Sequence, residues 1–203
     1  MAITAVPKEC PRWNTPNLIS APDNTTFFQL GGSTSYSTLP PVHKTLWGFE
    51  PASSFWGTHP LDGLSSLTMT VGAGRAQQPD RTMAWLFGGT ASTVSDLDYG
   101  RDVQAVPGIV ELNLEQMTVR NVSSSGFGKF GTHMDGAMEW VPFGDAGMLV
   151  MMGGLQASVM DQDDSVWTDW SVLTVWDIEG RLVVLLRVCA CAWRVGRRTE
   201  IRF

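Results

Sequence analysis

Three apolar segments of this chain end in the same way, with two consecutive glycines. The segments are residues 27–30, 83–87 and 148–152, and the glycine pairs are Gly31-Gly32, Gly88-Gly89 and Gly153-Gly154. The pairs lie 57 and 65 residues apart, and each is followed by a polar loop and a second apolar segment. Short apolar runs bounded by glycine are typical of strands. The pattern therefore predicts three successive β-units with one layout.

The first two units predict matching sets of strands. In residues 44–51, Leu46, Gly48 and Glu50 share one side, and Trp47 and Phe49 share the other. Such alternation is typical of a half-buried strand. In the first unit the predicted strands are residues 25–30, residues 44–51 and a strand that begins at Phe55-Trp56. In the second unit they are residues 82–87, 108–114 and 117–122.

The third unit predicts strands at residues 136–142, 146–152 and 172–178, but none after Gly180. Residues 181–203 show no matching alternation and carry six Arg against one Glu, whereas residues 1–180 carry eight Lys or Arg against 19 Asp or Glu. Such a reversal of charge indicates an appended tail. The tail is either a non-native extension from an altered reading frame or retained intron, or a basic element for an anionic surface. The predicted organisation is an extended Pro-rich lead-in (1–22), a repeat segment (23–180) and an anomalous basic tail (181–203).

The glycine pairs predict close backbone packing rather than ligand binding. Glycine adopts positive φ freely and lets another strand approach without a Cβ clash. A phosphate-binding loop needs a following helix and a pattern such as G-x-G-x-x-G or G-x-x-x-x-G-K, which these pairs lack.

Composition narrows the partners and the compartment. The net charge of −6 argues against nucleic acid as the main partner, because phosphate binding needs a basic face. Three cysteines, Cys10, Cys189 and Cys191, give neither a disulfide framework nor zinc spacing. Asn24 and Asn121 begin sequons, which matter only if the chain is secreted. No signal peptide is visible at residues 1–8, and the apolar stretch 182–193 is too short to span a bilayer, so no membrane span is predicted.

The repeat resembles kelch repeats. In each unit an apolar strand is followed by Gly-Gly, a variable loop and a second strand. Examples of this second strand are Trp47-Gly48-Phe49-Glu50-Pro51 and Val175-Trp176-Asp177-Ile178. Residues 131–144, leading into 148–154, look like a stretch that joins two blades in fungal kelch-repeat proteins, which are similar to the central domain of galactose oxidase. The resemblance covers about residues 24–180. It implies an all-β fold, a kelch-type β-propeller segment of about three four-stranded blades in an incomplete ring, since such propellers have about six or seven.

The resemblance also implies testable chemistry. Galactose-oxidase-like copper enzymes need a cross-linked tyrosine, a second tyrosine and paired histidines, whereas no pattern pairs the residues available here. These residues are Tyr36, Tyr99, His43, His59 and His133.

The turn Ser123-Ser124-Ser125-Gly126 is no nucleophile elbow. His133 is expected in a loop, exposed or bonded locally, although it could pair with Asp135.

Two further clusters have a structural and a functional interpretation. Asp161, Asp163 and Asp164 lack the central glycine of a calcium loop and are expected to form a solvated loop. The indoles of Trp167, Trp170 and Trp176 are expected to pack between blades, with a sugar-stacking platform as the alternative. We therefore predict no catalytic, cofactor-binding or metal-binding residue, no cofactor and no enzyme activity.

The function expected from the resemblance is non-catalytic binding of a protein partner. The variable loops after each Gly-Gly, residues 33–43, 90–106 and 155–169, would form the binding surface, because rigid folds place recognition on loops. Two alternatives stay open: a truncated fragment without autonomous function, and a carbohydrate-binding or galactose-oxidase-like propeller. Relatives of this type are often extracellular or membrane-anchored, but the compartment is not predicted.

Overall fold

The chain forms a set of antiparallel sheets in a computed structural model, which describes residues 13–35, 38–122, 127, 131–157 and 166–187. Those residues contain no α-helix and one short 3-10 helix, Leu64–Ser66. The all-β fold expected from the sequence is confirmed. Its main units are three four-stranded sheets, as the repeat predicts.

Each sheet runs strand by strand along the chain. The first sheet consists of β1 (Asn17–Ser20), β2 (Phe27–Leu30), β3 (Leu46–Glu50) and β4 (Phe55–His59). Two small hairpins interrupt the later loops: β7 (Thr90–Ala91) with β8 (Gln104–Ala105), and β13 (Leu155–Gln156) with β14 (Val166–Trp167). The second sheet consists of β5 (Gly74–Gln77), β6 (Met83–Phe87), β9 (Ile109–Asn113) and β10 (Thr118–Val122). The third consists of β11 (Ala137–Val141), β12 (Met148–Met152), β15 (Val172–Asp177) and β16 (Leu182–Arg187).

The prediction that no fourth strand follows Gly180 is wrong. Strand β16 pairs with β15 over six positions, from Val172 opposite Arg187 to Asp177 opposite Leu182. The run 182–186 lacks alternation, yet its backbone continues the antiparallel pairing of β15. Residues 188–203 of the predicted tail lie outside the described residues.

The turn before β16 repeats the turns of the other two sheets. Four residues join the third strand to the fourth in each sheet, and the last of them has positive φ: Ser54 (54°), Met117 (53°) and Arg181 (50°). In the second and third sheets a side chain accepts a hydrogen bond from the turn. Asn113 Oδ1 accepts from the Glu115 amide at 3.1 Å, and Asp177 Oδ1 accepts from the Glu179 amide at 3.3 Å. Strand β16 is therefore the fourth strand of the repeat.

The first strands of the first two sheets are not predicted from the sequence, whereas β11 of the third sheet is predicted at residues 136–142. Strand β1 falls inside the predicted lead-in 1–22, and β5 had no prediction at all. Both strands have only four residues, and Gly74 and Arg75 in β5 interrupt any apolar pattern. The sheet structure therefore extends beyond the predicted repeat segment 23–180 on both sides.

The second sheet packs between the other two. In β6, Ala84 and Leu86 belong to an apolar core shared with the first sheet, whereas Trp85 and Phe87 belong to a core shared with the third. Alternate residues of a strand point to opposite faces, so one strand serves both cores. The 3-10 helix and the segment around it close the first core with Leu61, Leu64, Leu67 and Met69.

One bridge recurs within each of the three sheets, and two of these bridges lie at a junction between neighbouring sheets. Each first strand is preceded by a segment that we call its lead-in turn: residues 13–16, 70–73 and 133–136. Each lead-in turn forms a bridge to the residue two positions after the first glycine of a pair: Asn14 with Ser33, Val71 with Thr90, and Met134 with Leu155. The residue after each bridge has positive φ: Thr15 (49°), Gly72 (67°) and Asp135 (53°).

The glycine pairs hold these junctions together, as the sequence predicts. All six glycines have φ between 66° and 105°. The second glycine of each pair packs on the lead-in turn of its own sheet, whereas Gly31 and Gly88, the first glycines of the first two pairs, pack on that of the next sheet. The amides of Gly32 and Gly89 donate to the carbonyl oxygens of Thr70 (3.0 Å) and His133 (2.7 Å), which belong to the next sheet. At Gly31, Gly88, Gly89 and Gly154 an added Cβ would collide with backbone atoms, which explains why the chain repeats glycine there.

Candidate binding site on the loops

The three loops that follow the glycine pairs emerge at the same end of their sheets. Each bridge places the start of a loop beside the lead-in turn of its own sheet, and the amides of Gly32 and Gly89 place the first two loops beside the lead-in turn of the next sheet. The Thr34 amide of the first loop donates to the Val94 carbonyl of the second at 2.8 Å. Ala105 of the second loop shares a small apolar core with Met134 and Ala157. The described parts of the loops therefore form one continuous surface, which we call the loop face.

A small cavity of about 40 Å³ opens between the first two loops. Pro40, Pro41 and His43 of the first loop lie on one side, and Leu97 of the second lies on the other. Trp47 forms part of the lining, and it is buried with no hydrogen-bond partner for Nε1 among the described residues. The cavity therefore has both apolar and charged lining residues, the latter being Lys44, Asp96 and Asp98.

Lys44 joins the two loops beneath this cavity. Its ammonium lies 3.0 Å from Asp96 Oδ2 and 3.1 Å from Asp98 Oδ2, and it donates to the Leu67 carbonyl at 2.6 Å. Asp96 is buried and also accepts from the Met69 amide at 2.8 Å. Burial lowers the pKa of Lys44, but hydrogen bonds and charge from Asp96 and Asp98 outweigh burial, so the pKa lies above its ordinary value. Lys44 therefore stays charged and keeps the loops in place.

Large apolar side chains are exposed on all three loops. Leu39 and Val42 project from the first loop, Leu97 and Val103 from the second, and Val166, Trp167 and Trp170 from the third. Exposed apolar and aromatic groups on a rigid surface indicate an interaction site. The loop face has that composition.

The tryptophan prediction is confirmed for one residue and wrong for two. Trp176 is 1% exposed and packs between the second and third sheets. Trp167 and Trp170 are 73% and 69% exposed and do not pack between sheets. The sequence gives the three tryptophans the same expectation, because aromatic residues at strand ends usually pack between sheets. Trp167 and Trp170 instead flank a loop, and their spacing along the chain does not show where that loop lies relative to the sheets.

His133 is buried, contrary to the prediction of an exposed or locally bonded loop residue. Its Nε2 lies 3.0 Å from the Gly153 carbonyl oxygen, and its ring stacks on Phe87 with centroids 5.3 Å apart. Burial lowers the pKa of His133, although the bond to Gly153 and the charge of Asp135 oppose that effect. The residue therefore acts as a neutral link between the second and third sheets.

The other histidines and Tyr99 are not gathered around His133. His59, on the outer strand β4 of the first sheet, contacts the ring of Phe28 edge to face. His43 lies on the rim of the loop cavity. The Tyr99 hydroxyl lies 3.3 Å from Thr68 Oγ1. Within the described residues, no three His, Cys, Asp or Glu side chains form a possible metal-binding group.

Several predicted features lie outside the described residues. They are Cys10, Tyr36, Ser123, Ser124, Ser125, Gly126, Asp161, Asp163, Asp164, Cys189 and Cys191. Of the sequon asparagines, Asn24 is exposed in the β1–β2 turn, and Asn121 is exposed on β10. No helix in the described part of the chain is long and apolar enough to cross a membrane.

A second and wider concavity lies among the lead-in turns. It is open, holds about 400 Å³, and is lined by the turns around Thr15, Gly72 and Asp135 together with Arg75 and Met138. The Arg75 guanidinium donates to the Leu18 carbonyl and so connects β5 to β1. The first strands of the three sheets thus surround one common groove.

Comparison of the sequence with models of known protein families and with curated proteins found no match.

Proposed function

We propose that the three sheets are consecutive blades of a kelch-type propeller and that the chain is a non-catalytic module that binds a protein partner through its loop face. The repeated junction and the common groove among the first strands support the propeller. Meandering four-stranded sheets arranged around a channel are the defining feature of that architecture.

The observation that carries the binding role is the exposure of apolar side chains on loops that are held in place. Val42 and Leu97 are exposed on either side of the Lys44 ion pairs. A pre-ordered surface loses little entropy on binding, so its apolar groups contribute more fully to affinity. The cavity beside Trp47 is small, which suits a single inserted side chain better than an enclosed metabolite.

A photo-crosslinking experiment tests this proposal. A photoreactive amino acid placed at Val42 should capture one specific protein, whereas the same amino acid at Glu115 should not. Glu115 is exposed in the β9–β10 turn, at the other end of the second sheet, and so serves as a matched control. The captured protein, once purified, should bind the wild-type chain and lose at least about tenfold in affinity for a Val42→Asp, Leu97→Asp variant. Equal capture at Glu115, or unchanged affinity, would contradict the proposal.

The exposure of Trp167 and Trp170 favours a second candidate function, carbohydrate binding. Exposed indole faces stack on the apolar faces of sugar rings, and both lie on the third loop. Titration of the chain with a panel of oligosaccharides should give a signal that a Trp167→Ala variant loses. A protein that binds only the captured partner, and no sugar, would leave protein binding as the function.

A further inference from the structure

Among the described residues, the first and third sheets each have one face that no other sheet covers. On the first sheet this face carries Leu18, Phe27, Trp47, Phe49 and Trp56, which we call the first end face. On the third sheet it carries Val150, Met152, Leu173, Val175, Val184 and Leu186, which we call the last end face. Both faces are mainly apolar, although Gln29 lies on the first and Glu139 and Asp177 lie on the last. Both contain exposed apolar members: Leu18 and Phe27 on the first, Met152, Val184 and Leu186 on the last.

The repeat shows how such faces are normally covered. Counted from the glycine pairs, Phe27 corresponds to Ala84 and Leu149, which face the preceding sheet and are both 0% exposed, whereas Phe27 is 46% exposed. Met152 likewise corresponds to Leu30 and Phe87, which face the following sheet. Those two are 3% and 1% exposed, whereas Met152 is 40% exposed. The end faces therefore occupy positions that are buried at both junctions within the chain.

We infer that two copies of this chain pair head to tail, the last end face of each against the first end face of the other, to form a six-bladed ring. Both new contacts would continue the junction that already occurs twice within the chain. Contacts between different patches close into a ring when the rotation between units allows it. The three four-stranded sheets of the described residues give six in two copies, within the four to eight blades of known propellers.

The junction also specifies a hydrogen bond between the copies. The amides of Gly32 and Gly89 donate to carbonyl oxygens at equivalent positions in the following lead-in turns. The third member of this series is the Gly154 amide, and the equivalent carbonyl oxygen in the first lead-in turn is that of Trp13. The proposed dimer would therefore contain a bond from Gly154 of one copy to Trp13 of the other.

Trp170 marks the place where the second copy would dock. Gly31 packs on Thr70 and Gly88 packs on His133, whereas Gly153 packs on the ring of Trp170, with an added Cβ 2.7 Å from Cη2. This ring is largely exposed, and it contacts Gly153 where a following lead-in turn contacts Gly31 and Gly88. Docking would move the ring aside and place the first lead-in turn against Gly153.

Sedimentation velocity of the full chain over a concentration series tests the inference. The expected species has a mass of about 44 kDa, twice the 22.2 kDa of one chain. A folded chain that stays at 22.2 kDa at every concentration would overturn the inference, as would polymers that grow with concentration, because they would show that the ring does not close.

Matched variants identify the faces. Leu186→Glu and Phe27→Glu should each weaken dimerisation by about 100-fold or more, because each places a charge in an apolar contact. Leu185→Glu and Phe55→Glu are the controls, since both side chains are exposed on the opposite faces of the same sheets and should leave the dimer intact. Circular dichroism melting establishes that each variant folds. Dimers that persist in both test variants would contradict the head-to-tail arrangement.

Mixing the two test variants distinguishes head-to-tail pairing from a symmetric contact between identical faces. A mixture of Leu186→Glu and Phe27→Glu chains retains one pair of intact faces, so it should form a heterodimer that neither variant forms alone. A contact between two first end faces would instead be insensitive to Leu186→Glu. No heterodimer in the mixture would overturn the proposal.

Discussion

Nε2 of His133 lies 3.0 Å from the carbonyl oxygen of Gly153, twenty residues further along the chain. A carbonyl only accepts, so Nε2 carries the proton and Nδ1 of the neutral ring is the bare nitrogen. Nδ1 is buried and has no partner among the described residues. A second proton would therefore be buried without an acceptor.

This relationship predicts that acidification destabilises the protein. The pKa of His133 is lower in the folded chain than the ordinary value of 6.5, so the unfolded chain binds more protons between the two values. The contribution that neutral His133 makes to the free energy of unfolding is therefore fully present above about pH 6.5 and is lost as the pH falls below that value. Urea unfolding between pH 7.5 and 5 should show this loss, and a His133→Gln variant should show less of it.

His43→Gln is the control for the loss of an imidazole, because His43 is exposed on a loop. The interval from pH 7.5 to 5 also lies above the range in which Asp23 titrates, since the pKa of Asp23 is lowered by hydrogen bonds from Thr25 and Thr26. Equal pH dependence in the wild type and His133→Gln would contradict the role of His133.

A set of three glycine substitutions separates backbone strain from steric collision. Gly88 has a φ of 66°, and an added Cβ would collide with the His133 backbone. Gly144 has a φ of 75°, but no described atom lies within 4 Å of its added Cβ, and at Gly100 neither restriction applies. We expect Gly88→Ala to cost more than about 3 kcal/mol, Gly144→Ala about 1 kcal/mol, and Gly100→Ala nearly nothing. Thermal and urea unfolding measure all three, and equal losses at Gly88 and Gly144 would show that the junction tolerates a side chain.

The glycine pairs were the part of the fold that sequence predicted best, because a conformational need selects one residue type. Strand β16 was missed because its signal lies in the preceding turn. Asp177 and Arg181 match Asn113 and Met117 in position but not in type. A turn that accepts several residue types at positive φ leaves little trace in one sequence.

The sequence predicts which residues form the loops of the candidate site, but it does not predict how the loops contact one another to form a surface. Spacing identifies where a loop begins, whereas the Lys44 ion pairs join residues 52 and 54 positions apart, which depends on how two sheets pack. The same limit explains Trp167 and Trp170, whose exposure depends on whether a neighbouring sheet is present. His133 was misjudged because its partner Gly153 becomes close only in the junction.

The Lys44 ion pairs predict an asymmetric response to substitution. Asp96 is buried, so Lys44→Met would leave its charge unpaired and should cost about 3 kcal/mol. Asp98 is largely exposed, so Asp98→Asn should cost less than about 0.5 kcal/mol. The free energy of unfolding at pH 7 measures both. A small effect of Lys44→Met would show that the loops are held by their other contacts.

The two environments of tryptophan give the last prediction. Trp176 is fully buried between the second and third sheets, where it belongs to one core with Phe87 and Leu149. Its truncation to alanine removes many apolar contacts and leaves a cavity, so Trp176→Ala should cost about 3–5 kcal/mol. Trp167→Ala removes a side chain that is mostly in water and should change stability by less than about 0.5 kcal/mol, while altering any binding at the loop face. Urea unfolding of the two variants, each compared with the wild type, would therefore separate a residue that holds the sheets together from one that is available to a partner.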